Sequence, residues 1–142
     1  MVKLIVPDAS VLLKWVLPEE REPYAAQAVA VRDAFIAGHI RLLVPALWFY
    51  EVGNVLVTHF ADSAAGRLAT LAAFRIPEAR PTSLWRERIL KLTAERGVTF
   101  YDASYHALAD VSDGIFVTAD AKYLRKAGPD SRLLSLASWP PR

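Results

Sequence analysis

Cysteine is absent from the 142 residues. Neither a disulfide framework nor a thiolate-held zinc site is therefore available. Histidine is scarce too, at three residues, which argues against a histidine-rich metal site. A bound metal would rest mainly on oxygen, and oxygen ligands select hard cations such as Mg²⁺ or Mn²⁺. No apolar run approaches the roughly 18 residues of a membrane span. Asp8 arrives too early to leave room for a signal-peptide core. These absences lead to the expectation of a soluble, cytoplasmic protein with no membrane partner. Repeats, low-complexity tracts and linkers are also missing, so residues 1–142 read as one domain. Gln27 and Asn54 are the only side-chain amides and Arg outnumbers Lys, a composition that suits a source growing hot.

What the chain does have is apolar residues, at 54% against a usual 45–50% or so. A small domain has little interior to absorb that excess, which points to buried contact with a partner. The net charge of +2 tolerates a nucleic-acid partner without demanding one, since basic footprints depend on clustering.

Short apolar runs at residues 4–6, 42–44, 75–77, 115–118 and 132–135 read as strands. Between them, residues 10–16, 24–37, 46–60, 63–74, 82–96, 102–111 and 120–124 read as helices. The segment 82–96 is the clearest amphipathic one, with Leu84, Trp85, Ile89 and Leu92 apolar and Gly97 at its end. Strands alternating with helices predict an α/β fold with a central parallel sheet of about five strands, covered on both faces. Ligands in such folds bind beyond the carboxyl ends of the strands.

Acidic residues recur at those ends. Asp8 follows the first strand, Asp120 the fourth, and Asp102 stands where a helix should open. Each Asp taken alone is explained as well by a helix cap or turn as by chemistry. Glu51 differs, because Leu47, Glu51 and Val55 share a face of the most hydrophobic helix. A carboxylate on an apolar stripe costs several kcal/mol unless it is paired, hydrogen-bonded or metal-bound. It could reach the helix edge or meet a buried Arg; Asn54, one turn on, could orient it or fill core space. Four clustered carboxylates would raise each other's pKa values, and a divalent cation removes that penalty. Such a cation also serves phosphoester hydrolysis, by acidifying water and neutralising phosphate charge.

At these residues the chain resembles the PIN-domain family, especially the VapC-type toxins of prokaryotic toxin–antitoxin pairs. The likeness runs over essentially the whole length. It rests on Val6-Pro-Asp8-Ala-Ser10, on Tyr50-Glu51-Val-Gly-Asn54, on Tyr101-Asp102-Ala-Ser-Tyr-His-Ala-Leu-Ala and on Val117-Thr118-Ala-Asp120. The resemblance implies a Rossmann-like α/β/α sandwich, a Mg²⁺- or Mn²⁺-dependent endoribonuclease, a cellular RNA substrate, a cognate antitoxin and a homodimer. A dimer would account for the apolar excess and for Trp48, Phe49, Tyr50 and Phe60, at least two of which read as ordinary core. In this reading Asp8, Asp102 and Asp120 bind metal, and Glu51 is a further ligand or the base on attacking water. Ser10, Asn54 and Thr118 would orient carboxylates or waters. Lys14, Lys122, Arg125 and Lys126 follow the acidic positions closely and are candidates for phosphate contacts. Asp110 and Asp113 read as solvated.

Two rival readings remain. A phosphatase or phosphoacceptor domain usually needs a second acid two residues after the first, or an adjacent acidic pair, and Asp8-Ala9-Ser10 offers neither. A catalytically silent module of the same fold, binding RNA or protein, is the other.

Overall fold

The computed structural model describes residues 2–142. In chain order the elements are β1 (Lys3–Pro7), α1 (Ala9–Leu13), α2 (Ala25–Ile36), β2 (Ile40–Leu42) and β3 (Val44–Pro45). Then come α3 (Leu47–His59), α4 (Ala64–Ala73), β4 (Glu78–Ala79), α5 (Ser83–Arg96), α6 (Phe100–Val111), β5 (Ile115–Thr118), α7 (Ala121–Ala127) and β6 (Leu133–Ser135). The main sheet is four-stranded in the order β2-β1-β5-β6, and every pair in it is parallel.

Successive strand residues face opposite sides of a sheet. Ile5 and Val117 accordingly enter one core with Val11, Leu12, Val31, Trp48, Val52 and Leu71 from α1 to α4. Val6 and Phe116 enter the other, with Trp85, Ile89, Leu92, Leu108 and Tyr123 from α5 to α7. Helices thus cover both faces, as the continuous apolar strands require. No helix among the described residues is long and apolar enough to cross a membrane.

The strand expected at 132–135 closes this sheet as β6, but the one expected at 75–77 is not in it. Chain pairing moves to Glu78–Ala79, which joins Val44–Pro45 in a separate two-stranded ribbon. Arg75 takes the left-handed conformation (φ 51°) and interrupts extended backbone there, while the Pro77 carbonyl accepts from the Val44 N–H at 3.0 Å. The segment expected at 42–44 is likewise divided between β2 and β3. Leu84 lies on the outer side of α5 and is 68% exposed, whereas Trp85, Ile89 and Leu92 are buried. Gly97 ends α5 in the left-handed region (φ 63°), a conformation that costs glycine nothing.

Candidate active site

Asp8 leaves β1 and caps α1. Its Oδ1 accepts the backbone N–H groups of Ser10 at 3.0 Å and Val11 at 3.3 Å, and also the Ser10 hydroxyl. Its Oδ2 accepts the Thr118 hydroxyl from the end of β5. Ser10 Oγ accepts the Ala119 N–H at 3.1 Å, and Thr118 Oγ1 accepts the Asp120 N–H at 3.0 Å. The two hydroxyls therefore stitch the β1–α1 turn to the β5–α7 turn across adjacent strands. Asp120 caps α7 with one oxygen, Oδ1, which accepts from Lys122 and Tyr123 at 3.0 and 3.1 Å.

Asp102 is not a cap. Thr99 takes that role, its hydroxyl accepting the Asp102 N–H at 3.1 Å, so α6 opens earlier than expected. The Asp102 carboxylate is left free of capping work in the helix's first turn. Glu51 enters from α3, where Tyr105 donates its hydroxyl to Oε1 at 2.6 Å. Asp8, Ser10, Glu51, Asp102, Tyr105 and Asp120 line one cleft of about 230 Å³ at the carboxyl end of the sheet. An adjoining cleft of about 200 Å³ shares Asp102 and Asp120 and adds Thr99, Lys122 and Lys126.

Basic side chains offset the acids of this cleft only in part. Among the described residues, none of Asp8, Glu51, Asp102 and Asp120 is ion-paired with a Lys or Arg. Burial pushes the Asp8 pKa up to about 6, and the nearby Glu51 charge adds to the rise. The hydrogen bonds from Ser10, Thr118 and Val11 oppose that rise without cancelling it. Burial likewise raises Glu51, with Asp102 contributing, and raises Asp102, with Asp120 contributing. Lys126 and Lys122 pull the other way at Asp102. Burial, with the charge of Glu51, drives the Tyr105 phenol far above its ordinary pKa, so it remains a donor.

A hard divalent cation fits these residues. The donors are all oxygen, the carboxylates await a positive charge, and Mg²⁺ ordinarily takes only one or two carboxylates beside its waters. The tightest trio of metal-compatible groups among the described residues lies elsewhere, at His106, Asp110 and Asp130, whose ligand atoms lie within 4.8 Å of one another. Its carboxylates are already matched. Arg88 holds Asp110 at 2.7 Å, and Arg96 sits 3.4 Å from Asp130. Burial pushes the His106 pKa down despite the charges of Asp110 and Asp130, which favours neutral imidazole. Its Nε2–H then donates to Asp130 at 3.1 Å while Nδ1 accepts the Tyr123 hydroxyl at 2.6 Å. This is a completed polar network between α6, α7 and the loop before β6.

Several expected residues stand apart from the site. Asn54 is exposed on α3 and does not orient Glu51; Tyr105 does that from another helix. Lys14 is buried and paired with Glu22 at 3.2 Å, so it is unavailable to a phosphate. Arg125 is exposed on α7 but lines neither cleft. Asp110 is tied to Arg88 and is not simply solvated, whereas Asp113 is exposed to solvent as expected, with Arg132 at 2.6 Å. Of the four aromatics, Trp48 is buried and Phe60 packs partly against the core. Phe49 and Tyr50 are exposed, Tyr50 at 69%.

Sequence reasoning missed Tyr105. The available signal was its place three residues after Asp102, on the same helical face, within a buried run where a phenol needs a partner.

A parallel sheet covered on both faces, with carboxylates that no Lys or Arg among the described residues ion-pairs gathered at its carboxyl end, defines an α/β protein with an acidic cleft. The chain belongs to the PIN-domain family, whose model matches residues 5–129. It is 32% identical over 104 residues to "Exonuclease VapC9" of Pyrobaculum aerophilum, a match spanning 66% of this chain and 73% of that one. The crystal structure of PAE2754 from Pyrobaculum aerophilum superposes with a TM-score of 0.65 at 27% identity, covering 96% of this chain and 91% of the other.

Proposed function

We propose that this chain is a Mg²⁺- or Mn²⁺-dependent endoribonuclease, with residues 1–142 acting as one nuclease unit. The observation that carries the reading is the cleft lined by Asp8, Glu51, Asp102 and Asp120 with no Lys or Arg among the described residues ion-paired to any of them. Asp8, Asp102 and Asp120 are the proposed ligands. Glu51 is a further ligand or the group that accepts a proton from water, a role its raised pKa suits. A divalent cation, when bound, supplies phosphate charge neutralisation and a more acidic water. Ser10 and Thr118 hold the Asp8 carboxylate in place. Lys122 and Lys126, beside Asp102 and Asp120, are placed to meet phosphates flanking the cut.

The test is cleavage of single-stranded and structured RNA, and of matched DNA, with Mg²⁺, Mn²⁺ or EDTA. Linear and covalently closed forms are compared. We expect cleavage of RNA with either metal and none with EDTA. Cutting of closed circles marks internal cleavage, as the family resemblance implies; cutting of linear RNA alone would match the exonuclease name that the Pyrobaculum relative carries. Removing Lys122 or Lys126 should lower the slope of log binding constant against log salt by about one each. Metal-independent cleavage would overturn the reading, whereas no Mn²⁺ binding at all would favour the silent module.

The likeness to a VapC-named relative supports a place in a toxin–antitoxin pair, with a cognate antitoxin covering the site. A genomic neighbour encoding a short protein that co-purifies with this chain and blocks cleavage would establish that pairing. The homodimer is supported by an apolar groove of about 480 Å³ between α5, α6 and the β3–β4 ribbon, lined in part by exposed Phe100 and Tyr101, and by the further exposed apolar residues Phe49, Tyr50 and Leu84. Light scattering should then report twice the 15.7 kDa of one chain. Tyr50→Glu should return it to monomer mass.

A further inference from the structure

We propose that Tyr105 is a positioning residue for the acidic site, holding the Glu51 carboxylate by one oxygen and leaving the other to the cleft. The inference deepens the nuclease reading above and rests on it.

Tyr105 sits one helical turn beyond Asp102 on α6 and is 1% exposed. Its ring stacks on Phe116 of β5, with centroids 6.0 Å apart and planes 15° from parallel. The sheet therefore sets where the hydroxyl lies. That hydroxyl meets Glu51 Oε1 at 2.6 Å, and as a carboxylate only accepts, the phenol is the donor. Both residues line the cleft. Glu51 Oε2 accepts no hydrogen bond among the described residues, so its lone pairs are available to water or a cation.

The contact also joins two helices that carry separate acids. Among the described residues it is the single side-chain hydrogen bond between α3 and α6, and so it ties the acid of one to the helix that bears Asp102. Glu51 has no Lys or Arg partner among the described residues to hold it. Without the phenol, a half-buried carboxylate on a flexible side chain is free to turn outward toward water. Substitution of a group that orients a ligand typically costs 10–100-fold in metal affinity or activity.

The test compares wild type, Tyr105→Phe, Glu51→Gln and the double variant by calorimetric titration with MnCl₂, alongside RNA cleavage. Phe keeps the ring that stacks on Phe116 and deletes one oxygen, and circular dichroism melts verify folding of each variant. We expect Tyr105→Phe to weaken Mn²⁺ binding at least tenfold and to lower kcat with little change in KM. In the Glu51→Gln background the same substitution should add almost nothing. Site-specific 3-fluorotyrosine at position 105 retains the hydroxyl and should keep wild-type affinity, a check that holds even if the Phe variant is unstable. Equal Mn²⁺ affinity in wild type and Tyr105→Phe overturns the proposal, as do equal losses in both backgrounds, and the nuclease reading then still stands. Wild type that binds no Mn²⁺ refutes the metal reading itself, and this inference falls with it.

Discussion

Asp8→Asn should cut metal-dependent RNA cleavage by about a thousandfold, the upper end of what losing one electrostatic stabiliser costs, while leaving the fold intact. Asn is as good a helix cap as Asp. Its Oδ1 can go on accepting the Ser10 and Val11 N–H groups that open α1. Its amide N–H can donate to Thr118 Oγ1, reversing the bond that the hydroxyl now makes to the carboxylate. The stitch between the β1–α1 and β5–α7 turns is preserved. What disappears is the negative charge, which in the proposed mechanism holds the cation. Single-turnover cleavage by wild type and variant, purified identically, measures the effect. A variant with undiminished activity would place the chemistry elsewhere.

The second large effect is on stability, and it has the opposite sign. Asp8 has its pKa raised from 3.8 to about 6. Between those values the native state binds more protons than the unfolded chain, so stability falls as pH rises. The contribution is fully present below about pH 4 and is lost as pH passes 6, to the extent of about 3 kcal/mol. Glu51 and Asp102 are raised too and act in the same direction. His106 is lowered and acts oppositely, gaining stability with pH below its ordinary value, but it is common to wild type and variant and cancels from the comparison. Asp8→Asn has no charge to bury there. The metal-free variant should therefore melt near the wild type at pH 4 and about 10 °C above it at pH 7.5. Mn²⁺ at a hundred times its Kd returns about 2.7 kcal/mol to wild type alone, nearly closing the gap. Melts across pH with EDTA or MnCl₂ read all of this. Equal melting temperatures at pH 7.5 in EDTA would show that Asp8 bears no desolvation penalty.

Much of this site was legible because it is local. A strand that runs into Pro7-Asp8, and another into Thr118-Ala-Asp120, place acids at the sheet's carboxyl end through backbone pattern alone. Glu51 was legible as a charge in an apolar helix, an anomaly visible without any tertiary contact. The caps were harder. Thr99, Phe100, Tyr101 and Asp102 offer two possible helix starts, and the hydroxyl of Thr99 is the one that binds the N–H of residue 102. Strand edges failed where Arg75 turned left-handed and where one extended segment served two sheets.

Helical pitch tells which side chains share a face, but not which face docks. That is why Glu51 and Asn54, a turn apart on α3, part company, one drawn into the cleft and the other left in water. It is also why Lys14, close behind Asp8 in the chain, ends buried against Glu22. The sequence by itself determined the alternation of strands and helices, the parallel sheet, the two Asp residues that its strand ends deliver and the charge of Glu51 in an apolar helix, since period, capping chemistry and the cost of buried charge all act over a few residues. Only the tertiary structure decided that Tyr105 reaches Glu51 across 54 positions, that Arg88 and Arg96 neutralise Asp110 and Asp130, and that among the described residues no Lys or Arg ion-pairs with the four acids of the cleft. Those outcomes depend on how helices pack against the two faces of the sheet, and short-range patterns carry no record of such distant pairings.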